Sequence, residues 1–397
     1  MSTPVVDPTA EASPLTGVWS DLVGQSAAVA VLQRAVRGDT HAMSHAWLIT
    51  GPPGSGRSNA ARAFAAALQC DQGGCGRCRS CRMVLGGSHP DVTLVSTEQL
   101  SIGVKEVRDL ARRSMMSPTV GRWQIVVVED ADRITEAGAN ALLKSIEEPA
   151  PATVWLLCAP TPDDVIVTIR SRARSLTLTT PAVSEVAALL VRRDGIDPQT
   201  AEQAARAAQG HIGRARHLAR DEKARARRDD VLRIPMRLAT VADCLRAASV
   251  VMASAQEEAA EQTADIEVRE RAELEQALGM GTRGARPRHT EAALKDLAAE
   301  QKLRVKRLER DAIDRALTEL TTWYRDVLSV QLHSGAELVN IALADGIGVD
   351  AARTTPDRTI ARIDAILACR EALAGNVAPL LAVEAMMVIL GRQGTVA

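Results

Sequence analysis

A chain of 397 residues, 46% hydrophobic and 24% charged, is long enough for two or three domains with a sizeable core. Its 48 Lys and Arg balance 49 Asp and Glu for a formal net charge of -1, which excludes wholesale coating of nucleic acid and a polybasic membrane anchor while leaving room for a local basic patch. With aromatics at only 2%, the core must be built from Leu, Val, Ile and Ala, and reading of single strands by base stacking is disfavoured.

The N-terminal run MSTPVVDPTAEASP lacks a basic stretch followed by an apolar one, so it does not read as a secretory signal. Residues 1–18 are expected to be a disordered leader rich in Pro, Ser and Thr. No apolar run approaches the length needed to span a bilayer. These features, with the cysteine pattern below, predict a cytoplasmic protein.

From residue 19 to 180 apolar runs alternate with helical patterns. HAWLIT (45–50), DVTLVS (91–96), QIVVVED (124–130), TVWLLCA (153–159) and SLTLT (175–179) are strand candidates. Helical patterns lie between them, including 57–69, VKEVRDLARRSM and EAGANALLKSIEE. Such alternation predicts an α/β fold with a parallel sheet covered on both faces, and nucleotides bind beyond the carboxyl ends of such strands.

The stretch 51–58, GPPGSGRS, sits at such an end. Gly51, Gly54 and Gly56 allow a tight turn whose backbone N–H groups can cradle phosphate, and Ser58 can reach a magnesium ion. The pattern is that of a phosphate-binding loop except that Arg57 stands where lysine is expected. A planar guanidinium is bulkier than an ammonium and does not replace it. The strand 124–128 ends in Glu129 and Asp130, where an ATPase would carry aspartate first and glutamate second. Each carboxylate is thereby displaced by about one methylene, and an error near an ångström costs on the order of a hundredfold in rate. The residues point to a degenerate nucleotide site that hydrolyses slowly or not at all. They leave open whether ATP or ADP still occupies it.

Seven cysteines are present, and four of them, Cys70, Cys75, Cys78 and Cys81, fall within CDQGGCGRCRSC. The short C-x2-C steps bring thiolates to one ion through tight turns, and a disulfide framework would space its cysteines differently. The spacing predicts a structural Zn2+ knuckle with no open ligand position. Further on, TIRSRARSL (168–176) places Arg172 just before a strand. An arginine at such an edge suits a finger aimed at a neighbour's γ-phosphate; it also suits a surface ion pair, and motif strength alone favours the latter.

Beyond Pro181 the pattern is helical. Residues 181–225 are expected to form a small helical lid with turns at DGIDP (194–198) and QGHIG (209–213), and 226–397 an all-α domain. Within the latter, 253–290 stands out as an insertion containing the Gly/Pro/Arg break GMGTRGARPR, and Leu294, Leu297, Leu308, Leu317, Leu320, Tyr324 and Val327 recur at mostly helical offsets.

LVGQ (22–25), GPPGSGR (51–57), the four cysteines, ANALLKSIEEP (139–149) and SRA (171–173), where SRC is usual, together resemble the clamp-loader branch of the AAA+ ATPases. The resemblance is strong over 19–180, moderate over the lid and weak beyond. Within that branch the chain resembles the delta-prime subunits of DNA polymerase III, and GPPGSGRS with RWQIVVVEDADR suggests an actinobacterial form. The resemblance implies an AAA+ sheet domain with a zinc-knuckle insertion, a helical lid and a C-terminal collar. It implies a subunit with little or no ATPase activity that works beside gamma/tau and delta subunits, the sliding clamp and primer-template DNA. It also implies that Arg172 completes the adjacent gamma site. The departures agree with a non-hydrolysing role. Besides Arg57 and the inverted acids, the family's polar γ-phosphate sensor falls near Ala159–Pro160, and its lid arginine falls near Gly213, one step from Arg214.

Overall fold

The computed structural model describes residues 15–96, 101–278, 290–375 and 377–391. Most of the expected leader (1–14) and all of the GMGTRGARPR break therefore lie outside the described residues. The chain divides into two units between Arg220 and Asp221.

In the first unit, helices α1 (Ser26–Arg37), α2 (Arg57–Leu68), α3 (Arg79–Leu85), α4 (Val104–Ser114), α5 (Glu136–Glu147) and α6 (Val167–Arg170) alternate with strands β1 (Ala46–Thr50), β2 (Val92–Val95), β3 (Gln124–Val128), β4 (Thr153–Ala159) and β5 (Arg174–Thr177). The strands form one parallel sheet in the order β2-β3-β4-β1-β5, with Ile49 opposite Cys158 and Val126 opposite Trp155. Every residue of β1, β3 and β4 is buried, as expected of central strands covered on both faces. Alternate residues serve opposite layers. Trp47, Ile49, Ile125, Val127 and Leu156 join α1 and α2, whereas Leu48, Val126, Val128, Trp155 and Leu157 join α4 and α5. Trp47 meets Phe64 of α2 edge to face at 5.2 Å. Helices α7 (Val183–Asp194), α8 (Pro198–Ala207) and α9 (Ile212–Arg220) complete this unit.

The sheet's edge is tied down by Asp91. Its carboxylate accepts the Thr119 N–H and hydroxyl and the N–H groups of Val120 and Gly121, at 2.6–2.8 Å. Burial pushes this carboxyl upward, but these donors outweigh it and hold it at about 2, against 3.8 ordinarily. Since the folded value is depressed, the stabilisation is complete above pH ~4 and is lost as pH falls toward 2. Asp91→Asn is expected to cost about 2 kcal/mol at neutral pH and to flatten the acid limb of the stability curve between pH ~4 and ~2. Urea titrations across that range check both.

Among its described residues the second unit has no strand, and its main helices are α10 (Glu222–Leu232), α11 (Val241–Ala277), α12 (Thr290–Gln331), α13 (Ala344–Arg353), α14 (Pro356–Ala374) and α15 (Pro379–Gly391). Its core gathers Trp323, Tyr324, Ile366 and Met387. Of the predicted α12 stripe, Leu317, Leu320, Tyr324 and Val327 are buried, while Leu294, Leu297 and Leu308 are only half-buried. The 253–277 stretch continues α11 without interruption. It is clipped to α12 by Glu258–Arg315 at 2.6 Å and by Glu270 taking both amino groups of Arg304 at 2.8 and 3.0 Å.

Candidate nucleotide and metal sites

The turn 51–56 follows β1 and opens α2, as the glycine spacing requires. Gly51, Gly54 and Gly56 have φ of 152°, 85° and 91°. At Gly54 glycine is obligatory, because a Cβ would stand 2.2 Å from the His211 ring. His211 follows the turn between α8 and α9, so this end of the helical segment lies directly on the loop. The cavity between them measures about 230 Å³ and is lined by Gly56, Arg57, Ser58, His211 and Gly213. That is smaller than the ~300–1,000 Å³ of ordinary ligand pockets. Burial, then Arg214 and Arg57, push the His211 imidazole down from its ordinary value, so it stays neutral at physiological pH.

The charged residues of the expected site are engaged within the chain. The Arg57 guanidinium turns back and donates to the Gly51 carbonyl of its own loop. Glu129, at the end of β3, receives Arg62 Nε from α2 at 2.6 Å. Asp130 follows it, and the nearby Asp132 carboxyl is raised by burial and then by Asp130. Where the family's γ-phosphate sensor is expected, Ala159 is fully buried and the Pro160 carbonyl accepts the Gly51 N–H at 3.1 Å. Gln25 joins the loop to the strand β5 side: its amide donates to the Thr179 carbonyl at 2.7 Å and accepts the Thr179 N–H at 3.1 Å.

Arg172 lies between α6 and β5. Its Nε sits 2.8 Å from Glu147 Oε1 at the end of α5, and both side chains are over two-fifths exposed. A second amino group donates to the Thr168 carbonyl at 2.9 Å. Arg62, Glu147 and His211 were not legible as site residues: their partners lie 67, 25 and 157 positions away, and no spacing rule links them.

Cys70, Cys75, Cys78 and Cys81 converge, with their Sγ atoms all within 4.8 Å of one another. The 70–75 and 70–78 separations are both 3.7 Å. A disulfide would need ~2.05 Å, whereas a tetrahedron of Zn–S bonds of ~2.3 Å has edges of ~3.8 Å. Sulfurs also accept N–H groups along the turns: Cys75 to Cys70, Cys78 to Cys75 and Cys81 to Cys78, at 3.4–3.5 Å. Burial opposes ionisation of Cys70, but the N–H groups of Cys75, Gly74 and Gln72 lower its thiol to about 6, which favours a thiolate ligand. Burial pushes Cys81 the other way, leaving a bound cation to ionise it. The residues present thus fit a four-thiolate zinc ion, which would supply a structural cross-link. The knuckle is clamped to the sheet domain: the Val18 N–H donates to the Gly74 carbonyl at 2.9 Å, and Gly74, at φ 107°, has no room for a Cβ beside Val18.

Residues 24–182 match the family model described as DNA polymerase III, delta subunit. The chain is 35% identical over 159 residues to the gamma/tau subunit of DNA polymerase III from Mycobacterium tuberculosis, covering 39% of this chain and 27% of that protein. It is 38% identical over 135 residues to the delta-prime subunit from Pseudomonas aeruginosa, covering 32% of this chain and 41% of that one. The chain thus spans well under half the length of these curated relatives. A solved DNA polymerase III gamma subunit-related protein from Thermotoga maritima aligns with 72% of this chain and 99% of its own, at 15% identity and a TM-score of 0.36. The parallel sheet and the glycine loop after β1 lie within the segment, residues 24–182, that is similar in sequence to DNA polymerase III subunits. Over residues 24–182 the chain is similar to delta-prime and gamma/tau subunits alike. Among the described residues no helix is long and apolar enough to cross a membrane.

Proposed function

We propose that this chain is a delta-prime-like subunit of a replicative clamp loader that hydrolyses ATP weakly or not at all. It joins a pentamer with gamma/tau and delta subunits, lends Arg172 in trans to the neighbouring ATPase site, and helps load the sliding clamp on primer-template DNA. In this reading α7–α9 are the lid, the second unit is the collar, and the four cysteines hold zinc. Gly51, Gly54, Gly56, Arg57, Ser58, Glu129 and Asp130 form a degenerate site that takes ATP or ADP without productive turnover. The observation that carries the proposal is the pairing of Glu129 with Arg62, together with Arg57 turned onto its own loop. A carboxylate held by a guanidinium is poorly placed to hold magnesium through water.

A second reading, a gamma/tau-like subunit that hydrolyses ATP itself, is favoured by the 35% identity to the mycobacterial gamma/tau protein. Glu129→Gln separates the two. In a loader reconstituted from this chain with gamma/tau and delta, the first reading expects ATP turnover to stay within about twofold of wild type. The second expects turnover at this chain's own site to fall by about a hundredfold, as misplacing a catalytic group does. Quenched-flow phosphate release reads the difference.

A further inference from the structure

The second unit contains a cavity of about 410 Å³, within the ~300–1,000 Å³ range of small-molecule sites. It opens between the turn before α11, the C-terminal end of α13, the first two turns of α14 and the end of α15. Its lining includes the apolar Met236, Leu238 and Leu390. It also includes Arg353, Arg358 and Arg362, with Asp350 among them. Arg362 is already committed: it donates to Asp350 at 3.2 Å and stacks 5.4 Å from the Tyr324 ring centre. Asp350 in turn accepts the Trp323 indole N–H at 3.0 Å, so its charge is fully met. Arg353 and Arg358 have no ion-pair partner among the described residues, and they carry the surplus positive charge of the cavity.

One further feature points to a ligand. Thr354, which also lines the cavity, carries a buried hydroxyl with no hydrogen-bond partner. Buried hydroxyls are normally satisfied, and an orphan beside a cavity is a vacant donor. The surplus arginines and the orphan hydroxyl call for an acceptor of negative charge.

From this convergence we infer that the cavity binds a small amphipathic anion, its carboxylate or phosphate held by Arg353, Arg358 and the Thr354 hydroxyl and its short apolar body lying on Met236, Leu238 and Leu390. Two guanidinium groups next to an apolar wall select against both inorganic ions and neutral hydrocarbons. The inference is independent of the reading of the nucleotide site.

Titration calorimetry on the full chain tests it with three probes: hexyl phosphate, hexanoate and hexanol. The expected result is saturable one-to-one binding of at least one of the two anions, with hexanol at least about tenfold weaker. Whichever anion binds more tightly identifies the head group. Arg358→Gln, at an exposed position, should weaken that anion about tenfold or more, and Thr354→Val should weaken it several-fold, with circular dichroism unchanged. Absence of saturable binding by both anions, equal binding of hexanol, or full affinity in folded Arg358→Gln would each overturn the inference.

Discussion

Replacing Arg172 with alanine is expected to slow ATP hydrolysis at the adjoining gamma site by about a thousandfold or more, the scale on which arginine fingers act. The reason lies in the balance of two interactions. In the chain by itself Arg172 is paired with Glu147, but both side chains are over two-fifths exposed. Exposed pairs of this kind contribute only ~0–1 kcal/mol, so the guanidinium can leave Glu147 for a γ-phosphate at little cost. The same weakness predicts that the isolated variant keeps its wild-type Tm. Total turnover of the reconstituted loader should fall by the share of that one site, and single-turnover loading of the clamp should be lost. Lysine is not expected to rescue, since a point charge cannot reproduce the planar fork. Unchanged hydrolysis at the adjoining site would remove the trans role.

Cys78→Ser is expected to abolish zinc binding and to lower the Tm of the first unit by about 10 °C. Four thiolates on one ion act as a cross-link, and binding free energy is folding free energy where the apo loop has no alternative structure. Besides the metal, the glycine-rich loop 70–81 is held to the sheet domain by the Val18 N–H on the Gly74 carbonyl, by the Trp19 indole N–H on the Gly73 carbonyl and by the buried Cys70 and Cys81. A loss of several kcal/mol at ~2–4 °C per kcal/mol gives the stated shift. Arg77, Arg79 and Arg82 are exposed within or beside the knuckle, so trypsin should cut the variant there and spare the wild type. A chelator should reproduce the effect in wild type and add nothing in the variant. Metal analysis that finds no zinc in the wild-type chain would contradict this account.

Much of the first unit was legible because its three central strands are fully buried. Runs such as QIVVV and TVWLLCA have no polar alternation to confuse with a surface strand, and each is followed by turn residues. The β5 strand was displaced: expected at 175–179, it pairs with β1 over Arg174–Thr177, and Leu178 reaches the Thr50 carbonyl by a single bond beyond the ladder. The long helices were only partly legible. Residues 253–277 looked like a separate insertion by composition, yet Ala, Glu, Gln and Arg are strong helix formers and no Gly or Pro interrupts 241–277, so α11 runs on. Its clips to α12, Glu258–Arg315 and Glu270–Arg304, link residues 57 and 34 positions apart, which periodicity cannot see. The candidate site divides in the same way. Glycines and cysteines carry local spacing and were found; Arg62, Glu147 and His211 act by meeting distant residues and were not.

The most direct test of the central claim is phosphate release by the purified chain alone, with ATP and magnesium in excess. The account predicts release no faster than the no-enzyme background, because Glu129 is held by Arg62 and Arg57 faces its own loop. Sustained turnover at a rate typical of a working loader ATPase would contradict it.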